Sequence, residues 1–311
     1  MEDTFLALNK YPSFGKLEIP NKHFILDKIN EIIKKGIKEK WYINKNELII
    51  DETPIANGSN SIIYKCIWRN LEIVIKKPKT NKISILLDIL KEIEIWSTLR
   101  HPNLVQFLGI SFNLLDEDFL ILLERVNGSN LKEYIKPTIS LNIKYKICNQ
   151  LINAIYFLHT CNPPVIYRDL KPENIMIDEY HNVKLIDFGL SRFLPHESNY
   201  KLSGETGTLR YMAPEVYLSQ DYDLKVDVYS FGLLMYYIFT NNIPFKDYTK
   251  YTIDTYFNNN ELIFNTDKIK NKEIRHCINM CIKKKKEERW SSGEVVHWFN
   301  ENNINQSCLI V

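Results

Sequence analysis

The sequence predicts an α+β protein of two lobes, a small antiparallel β lobe with one main helix followed by a larger helical lobe. Three observations carry that prediction. The 311 residues, 45% hydrophobic and 25% charged, are enough to bury two sizeable cores. Residues 47–77 break into short β-rich runs, "ELII", "SIIYKCIW" and "LEIVIKK", separated by "NGSNS" and "RN", the punctuation of an antiparallel sheet. Beyond Asn127 helical periodicity dominates, and a β half followed by an α half packs as separate layers.

In chain order, residues 21–40 place Ile25, Ile29, Ile32, Ile33 and Ile37 at helical spacing between lysines, so an amphipathic helix is expected. Packing on the following domain is the plain role for its apolar stripe; a partner or a membrane surface is the alternative. After the β runs, "ISILLDILKEIEIWSTL" (83–99) returns to helical periodicity, and "NLVQFLGI" and "FLILLERV" read as two further strands. Helices are expected over 141–159, near 226–240 and between 268 and 300. The segment 226–239, "VDVYSFGLLMYYIF", is too short to span a membrane and contains Asp227 and Ser230, so it reads as a buried core helix.

Charge and cysteine usage narrow the function classes. Lys and Arg number 40 against 38 Asp and Glu, a formal charge of +2, which argues against nucleic acid as a partner. Six scattered cysteines and the acidic opening "MEDTFLALNK" lead to an expectation of a reducing, intracellular and cytoplasmic setting.

The chemistry concentrates in "VIYRDLKPENIMID" (165–178), a polar loop between two β-forming runs, followed after "DEYHNVKLI" by "DFG" (187–189). Two acidic residues and an Asn at strand ends can hold metal ions and orient a hydroxyl. Over residues 45–300 the order and spacing of "YRDLKPEN", "DFG", "GTLRYMAPE" (207–215) and "DVYSFG" (227–232) resemble the eukaryotic protein kinase family.

That resemblance implies a two-lobed protein kinase fold. It divides the chain into an extension (1–44) carrying the amphipathic helix, a kinase domain (45–303) with lobes 45–125 and 126–303, and a tail (304–311). It implies transfer of the γ-phosphoryl group of ATP, with Mg2+, to a protein hydroxyl. Lys76 in "EIVIKKP" matches the lysine that meets the α- and β-phosphates, while Lys77 would point to the opposite face. Glu92 is expected to pair with Lys76; Glu94 lies about 200° further round the helix. Asp169 would accept or orient the substrate proton, Lys171 would steady the transferring phosphate, and Asn174 and Asp187 would hold magnesium. Ile55, Gly58, Ile63, Val74, Leu123, Glu124, Val126 and Met176 complete the nucleotide site that the family implies.

"DLKPEN" with Lys171, together with Thr208, resembles the serine/threonine branch. "WYINKNELII" and "CIWRNLEIVIKK" resemble its tyrosine-kinase-like group. Departures stand beside the matches. Tyr167 replaces the usual His, with a flat ring that can pack against Phe188. Ala56 and Ser61 stand where the first and third glycines of the phosphate loop are usual, and Val74 where a small Ala is usual, an expectation of weaker nucleotide binding. A pseudokinase acting as scaffold or allosteric partner is therefore the alternative, opposed by intact Lys76, Asp169 and Asp187. A small-molecule phosphotransferase is opposed by "GTLRYMAPE".

Further expectations are peripheral. Arg168 would bind a phosphate on Ser203 or Thr206, and Arg289 would pair with Glu215, beside a solvated lysine run at 283–286. His276, Cys277 and Cys281 lack a fourth metal ligand and suit a core face. Cys308 in "CLIV" opens a prenylation-like sequence without a basic cluster, the one route to a membrane.

Overall fold

A computed structural model describes residues 19–58, 61–79, 83–113, 118–194, 209–259 and 262–307. The chain divides into two compact units, residues 1–100 with 105–125 and residues 101–104 with 126–311.

The first unit is built on a five-stranded antiparallel sheet: β1 (Leu48–Asn57), β2 (Ser61–Trp68), β3 (Leu71–Pro78), β4 (Phe107–Asn113) and β5 (Asp118–Glu124), in the order β1-β2-β3-β5-β4. β1 runs well beyond the expected "ELII", through a register irregularity at Pro54 that an edge strand tolerates. Alternation along β3 sends Ile73 and Ile75 into a core with Ile43, Cys66, Leu120 and Leu122. Val74 and Lys76 therefore lie on the other face. Helix α2 (Ile83–Trp96) buries Leu90, Ile93 and Trp96.

Helix α1 (Ile19–Lys38) packs against α2 and buries Ile29. Ile37, expected on its apolar face, is exposed instead. The chain turns back there: Trp41 and Tyr42 both donate their amides to the Gly36 carbonyl (2.8 and 3.0 Å). The Trp41 ring covers Gly36, where a Cβ would lie 2.7 Å from it. Ile43 then donates its amide to the Ile110 carbonyl (2.8 Å) and the Ile110 amide donates to the Trp41 carbonyl (2.9 Å), fastening this segment to β4.

The second unit is mainly helical. It contains β6 (Gly128–Asn130), α3 (Leu131–Tyr134), α4 (Leu141–Thr160), β7 (Val165–Ile166), β8 (Ile175–Asp178), β9 (Val183–Leu185) and β10 (Arg192–Phe193). After them come α5 (Pro214–Tyr217), α6 (Lys225–Thr240), α7 (Lys250–Asn258), α8 (Lys272–Cys281) and α9 (Ser292–Ser307). Every residue of α6 from Val226 to Ile238 is buried, the mark of a central core helix. Gly232 lets α8 approach: a Cβ there would lie 2.6 Å from that of Cys281. α9 packs against α4, and Asn103 bonds the Val183 carbonyl at 3.0 Å, which ties residues 101–104 to this unit.

Helix α7 was not expected, because "KYTIDTYFN" is rich in β-branched residues. Thr249 starts it by accepting the Thr252 amide. Cys277 and Cys281 are buried in the core and His276 stands edge-on to Trp290. No described helix is long and apolar enough to cross a membrane.

Candidate active site

The polar loop between β7 and β8 belongs to the second unit. Arg168 takes a left-handed backbone (φ 68°), which costs a non-glycine residue about 1 kcal/mol and must be held by its surroundings. The holder is Asp227 at the start of α6, whose two oxygens accept the amides of Tyr167 and Arg168, each at 2.8 Å. Asp227 is fully buried, and its other contact is His159 Nε2 at 3.0 Å. The sequence showed no partner for Asp227; the three partners of its side chain lie 59, 60 and 68 residues away.

Held this way, the loop delivers Asp169 as a carboxylate 6% exposed. Lys171 Nζ donates to both of its oxygens (2.9 and 2.7 Å). Asn174, at the end of the short turn Pro172–Asn174, donates its amide to the Asp169 carbonyl (2.9 Å) and to Oδ2 (2.7 Å). Three hydrogen bonds to its oxygens, two from the Lys171 ammonium and one from Asn174, fix the carboxylate's direction.

Asn174 and Asp187 fit a hard divalent cation by chemistry. Spending the Asn174 amide nitrogen on Asp169 turns its oxygen to the opposite side. Asp187, at φ 66°, accepts the Gly189 amide at 3.2 Å. Among the described residues no three His, Cys, Asp or Glu side chains converge on a metal-sized site. A cation held by these two would complete its shell with water and phosphate oxygens, as magnesium commonly does.

Tyr167 stands edge-on to Phe188, ring centroids 5.4 Å apart. Its role exceeds packing: the hydroxyl donates to the Ile186 carbonyl, just before Asp187. Burial, and then the charges of Asp187, Asp169 and Asp227, push the phenol well above its ordinary range, so it stays a donor.

In the first unit Lys76 Nζ meets Glu92 Oε1 at 2.6 Å. Glu92 is buried while Glu94 is exposed. The ladder sets Ala56 opposite Ile63, Ile63 opposite Lys76, and Val74 opposite Leu123. Ile63, Val74, Lys76 and Leu123 therefore share one sheet face. Ile55 is half exposed, and Glu124 donates its amide to the Gln106 carbonyl. Ala56 lies within β1, and no described glycine, Gly58 included, has positive φ. The backbone there makes no demand that only glycine meets. Val126 and Met176 belong to the second unit, both half-buried.

Away from the loop, Arg289 clasps Glu215 with two bonds, 2.6 and 3.0 Å. The lysine run at 283–286 is not simply solvated. Lys284 donates to the Tyr256 and Asn259 carbonyls and sits over the Tyr256 ring, and Lys286 donates to the Asp221 carbonyl. Arg168 donates to the Leu190 carbonyl (2.6 Å) and the Tyr222 hydroxyl (2.9 Å). Ser203, Thr206, Thr208 and Cys308 lie outside the described residues.

Comparison with known proteins identifies related kinases. A serine/threonine-protein kinase/receptor of Acanthamoeba polyphaga mimivirus is 37% identical over 221 residues, 69% of this chain and 13% of its own. The Arabidopsis thaliana serine/threonine-protein kinase VIK is 33% identical over 226 residues, 68% of this chain and 50% of its own. The dual specificity protein kinase shkB of Dictyostelium discoideum is 32% identical over 222 residues, 68% and 33% respectively. The chain thus spans half or less of the length of these relatives. The model of the protein kinase domain family matches residues 50–299. With its two-lobed α+β architecture and that match over most of its length, the chain belongs to the protein kinase family.

Proposed function

We propose that this protein is an active serine/threonine kinase that transfers the γ-phosphoryl group of Mg-ATP to protein hydroxyls. The observation that carries the proposal is the grip on Asp169, a nearly buried carboxylate aimed by Lys171 and Asn174. A carboxylate so fixed suits orienting a hydroxyl and taking its proton as the new P–O bond forms. Lys171, bound to that carboxylate, is suited to neutralise charge on the transferring phosphoryl group. Lys76, aimed by Glu92, would bind the α- and β-phosphates. Asn174 and Asp187 would hold magnesium, which lowers the repulsion between phosphates and the incoming oxygen. Ile55, Gly58, Ile63, Val74, Leu123, Glu124, Val126 and Met176 would bind the rest of the nucleotide.

Serine or threonine as acceptor is supported by Lys171 and by the names of the mimivirus and Arabidopsis relatives. Membership of the tyrosine-kinase-like group, and a kinase domain spanning 45–303 after an extension of 1–44, belong to the same proposal. Val74, Ala56 and Ser61 favour the rival scaffold reading, since each adds bulk where the family is usually smaller. A radiolabelled ATP transfer assay with a generic basic protein, read for phosphoserine, phosphothreonine and phosphotyrosine, tests the proposal. Incorporation on serine or threonine that Asp169→Asn abolishes is the expected result. Purified protein that binds no Mg-ATP and labels nothing would favour the scaffold.

A further inference from the structure

Ser292 sits at the first position of α9, 133 residues from His159, and its hydroxyl lies 2.9 Å from His159 Nδ1. The helix does not need this hydroxyl. The neighbouring Ser291 already caps α9: its Oγ accepts the Glu294 amide, and the Glu294 carboxylate reaches back to the Ser291 amide at 2.7 Å. Ser292 is nevertheless buried at 4% exposure, with its polar atom turned toward the imidazole. His159 continues the chain of contacts to Asp227, and Asp227 to the amides of Tyr167 and Arg168.

From these contacts we infer that Ser292 is a positioning residue for the catalytic loop, acting through the tautomer of His159. Asp227 accepts two backbone N–H bonds and is an acceptor toward the ring as well, so His159 Nε2 carries the hydrogen. Nδ1 of the neutral ring is then an acceptor, buried and in need of a donor. The Ser292 hydroxyl supplies it. With both nitrogens satisfied, the ring is fixed against Asp227, and Asp227 holds the left-handed turn at Arg168 that precedes Asp169. No group changes charge and no covalent bond forms. The inference bears on the phosphotransfer proposed above, but its geometry stands apart from it.

The test uses the full chain. Nitrogen-15 NMR of histidine-labelled wild type should show His159 as the Nε2–H tautomer with a hydrogen-bonded Nδ1. A ring protonated at Nδ1, alone or together with Nε2, overturns the inference. Ser292→Ala should raise hydrogen exchange at the Tyr167 and Arg168 amides about tenfold, the scale of one net hydrogen bond, while α8 amides stay unchanged. Phosphotransfer should fall roughly fivefold in kcat with KM for ATP within about twofold, and Ser292→Thr should restore both exchange and turnover. Unchanged exchange at those two amides, or an equal rise throughout the unit, means a merely structural serine. The tautomer and exchange measurements require no turnover. A wild type that fails to transfer phosphate therefore counts against the proposed function and leaves these two results to decide this inference. If Ser292→Ala does not fold, the wild-type tautomer and the Ser292→Thr exchange pattern decide it.

Discussion

Two buried ion pairs, one in each unit, use the same charges to different ends. Arg289 and Glu215 are enclosed: the arginine side chain is 0% exposed, meets both carboxylate oxygens, and donates further to the carbonyls of Lys225, Lys283 and Lys284. Lys76 Nζ meets Glu92 Oε1 at 2.6 Å, and Lys76 keeps 12% of its side chain exposed. The planar guanidinium suits a permanent brace, since its donors can all be satisfied by fixed protein acceptors. A lysine that stays partly exposed suits a group that is to meet a ligand. The difference teaches that pairing with a buried carboxylate does not by itself distinguish bracing from chemistry; the exposure left on the cation does.

That contrast can be broken most forcefully at the brace. Arg289→Ala leaves the Glu215 carboxylate buried and unpaired, and should cost about 3–5 kcal/mol in chemical denaturation. Turnover per folded molecule should be much less affected. Asp169→Asn should reverse the pattern: phosphotransfer drops roughly 10²-fold, about 2.7 kcal/mol in the barrier, while the denaturation midpoint moves little. A large stability loss in that variant would make Asp169 a brace too. Glu92→Gln lies between, costing about 1.5 kcal/mol of stability for one charged hydrogen bond and lowering apparent ATP affinity in a titration.

Smaller effects sharpen the picture of the loop. Tyr167→Phe removes the donor to the Ile186 carbonyl and keeps the edge-on ring, so about 1 kcal/mol of stability should be lost. Tyr167→His, expected to be neutral if the ring only packed, loses that bond as well. The smallest effect is expected for Ala56→Gly. Since Ala56 is a strand residue without special φ, glycine there should cost about 0.5–1 kcal/mol by thermal denaturation. A gain in turnover from that change would mean that side-chain bulk at residue 56, not backbone freedom, limits nucleotide binding.

Much of the candidate site was legible through the family resemblance, and the residues of its polar loop are near one another in the chain. Asp169, Lys171 and Asn174 lie within five residues and bond each other directly, so their spacing is their geometry. The family resemblance pointed to Glu92 over Glu94, which lies about 200° further round the helix, and Glu92 is the buried one bonded to Lys76. The all-round apolar run at 226–239 became a helix buried on every side. Failures came where composition misled. Ile37 fits the apolar stripe yet is exposed, since Trp41 folds back over Gly36 at the end of α1. Lys284 and Lys286 look like a solvated run, but their long stems carry their charges to carbonyls of distant segments.

By itself the sequence determined the α+β division, the strand and helix periodicities, and the local chemistry of the polar loop. Each follows from side chains a few residues apart, where covalent geometry leaves few arrangements open. The pairing of Arg289 with Glu215 was reachable only through the family resemblance, since 74 residues separate them. Tertiary structure alone decided that Ser292, His159 and Asp227 form one buried chain ending on the amides of the loop. No periodicity encodes such contacts, because they depend on which helices the hydrophobic core brings together, and a serine at 292 is unremarkable until α9 is packed against α4.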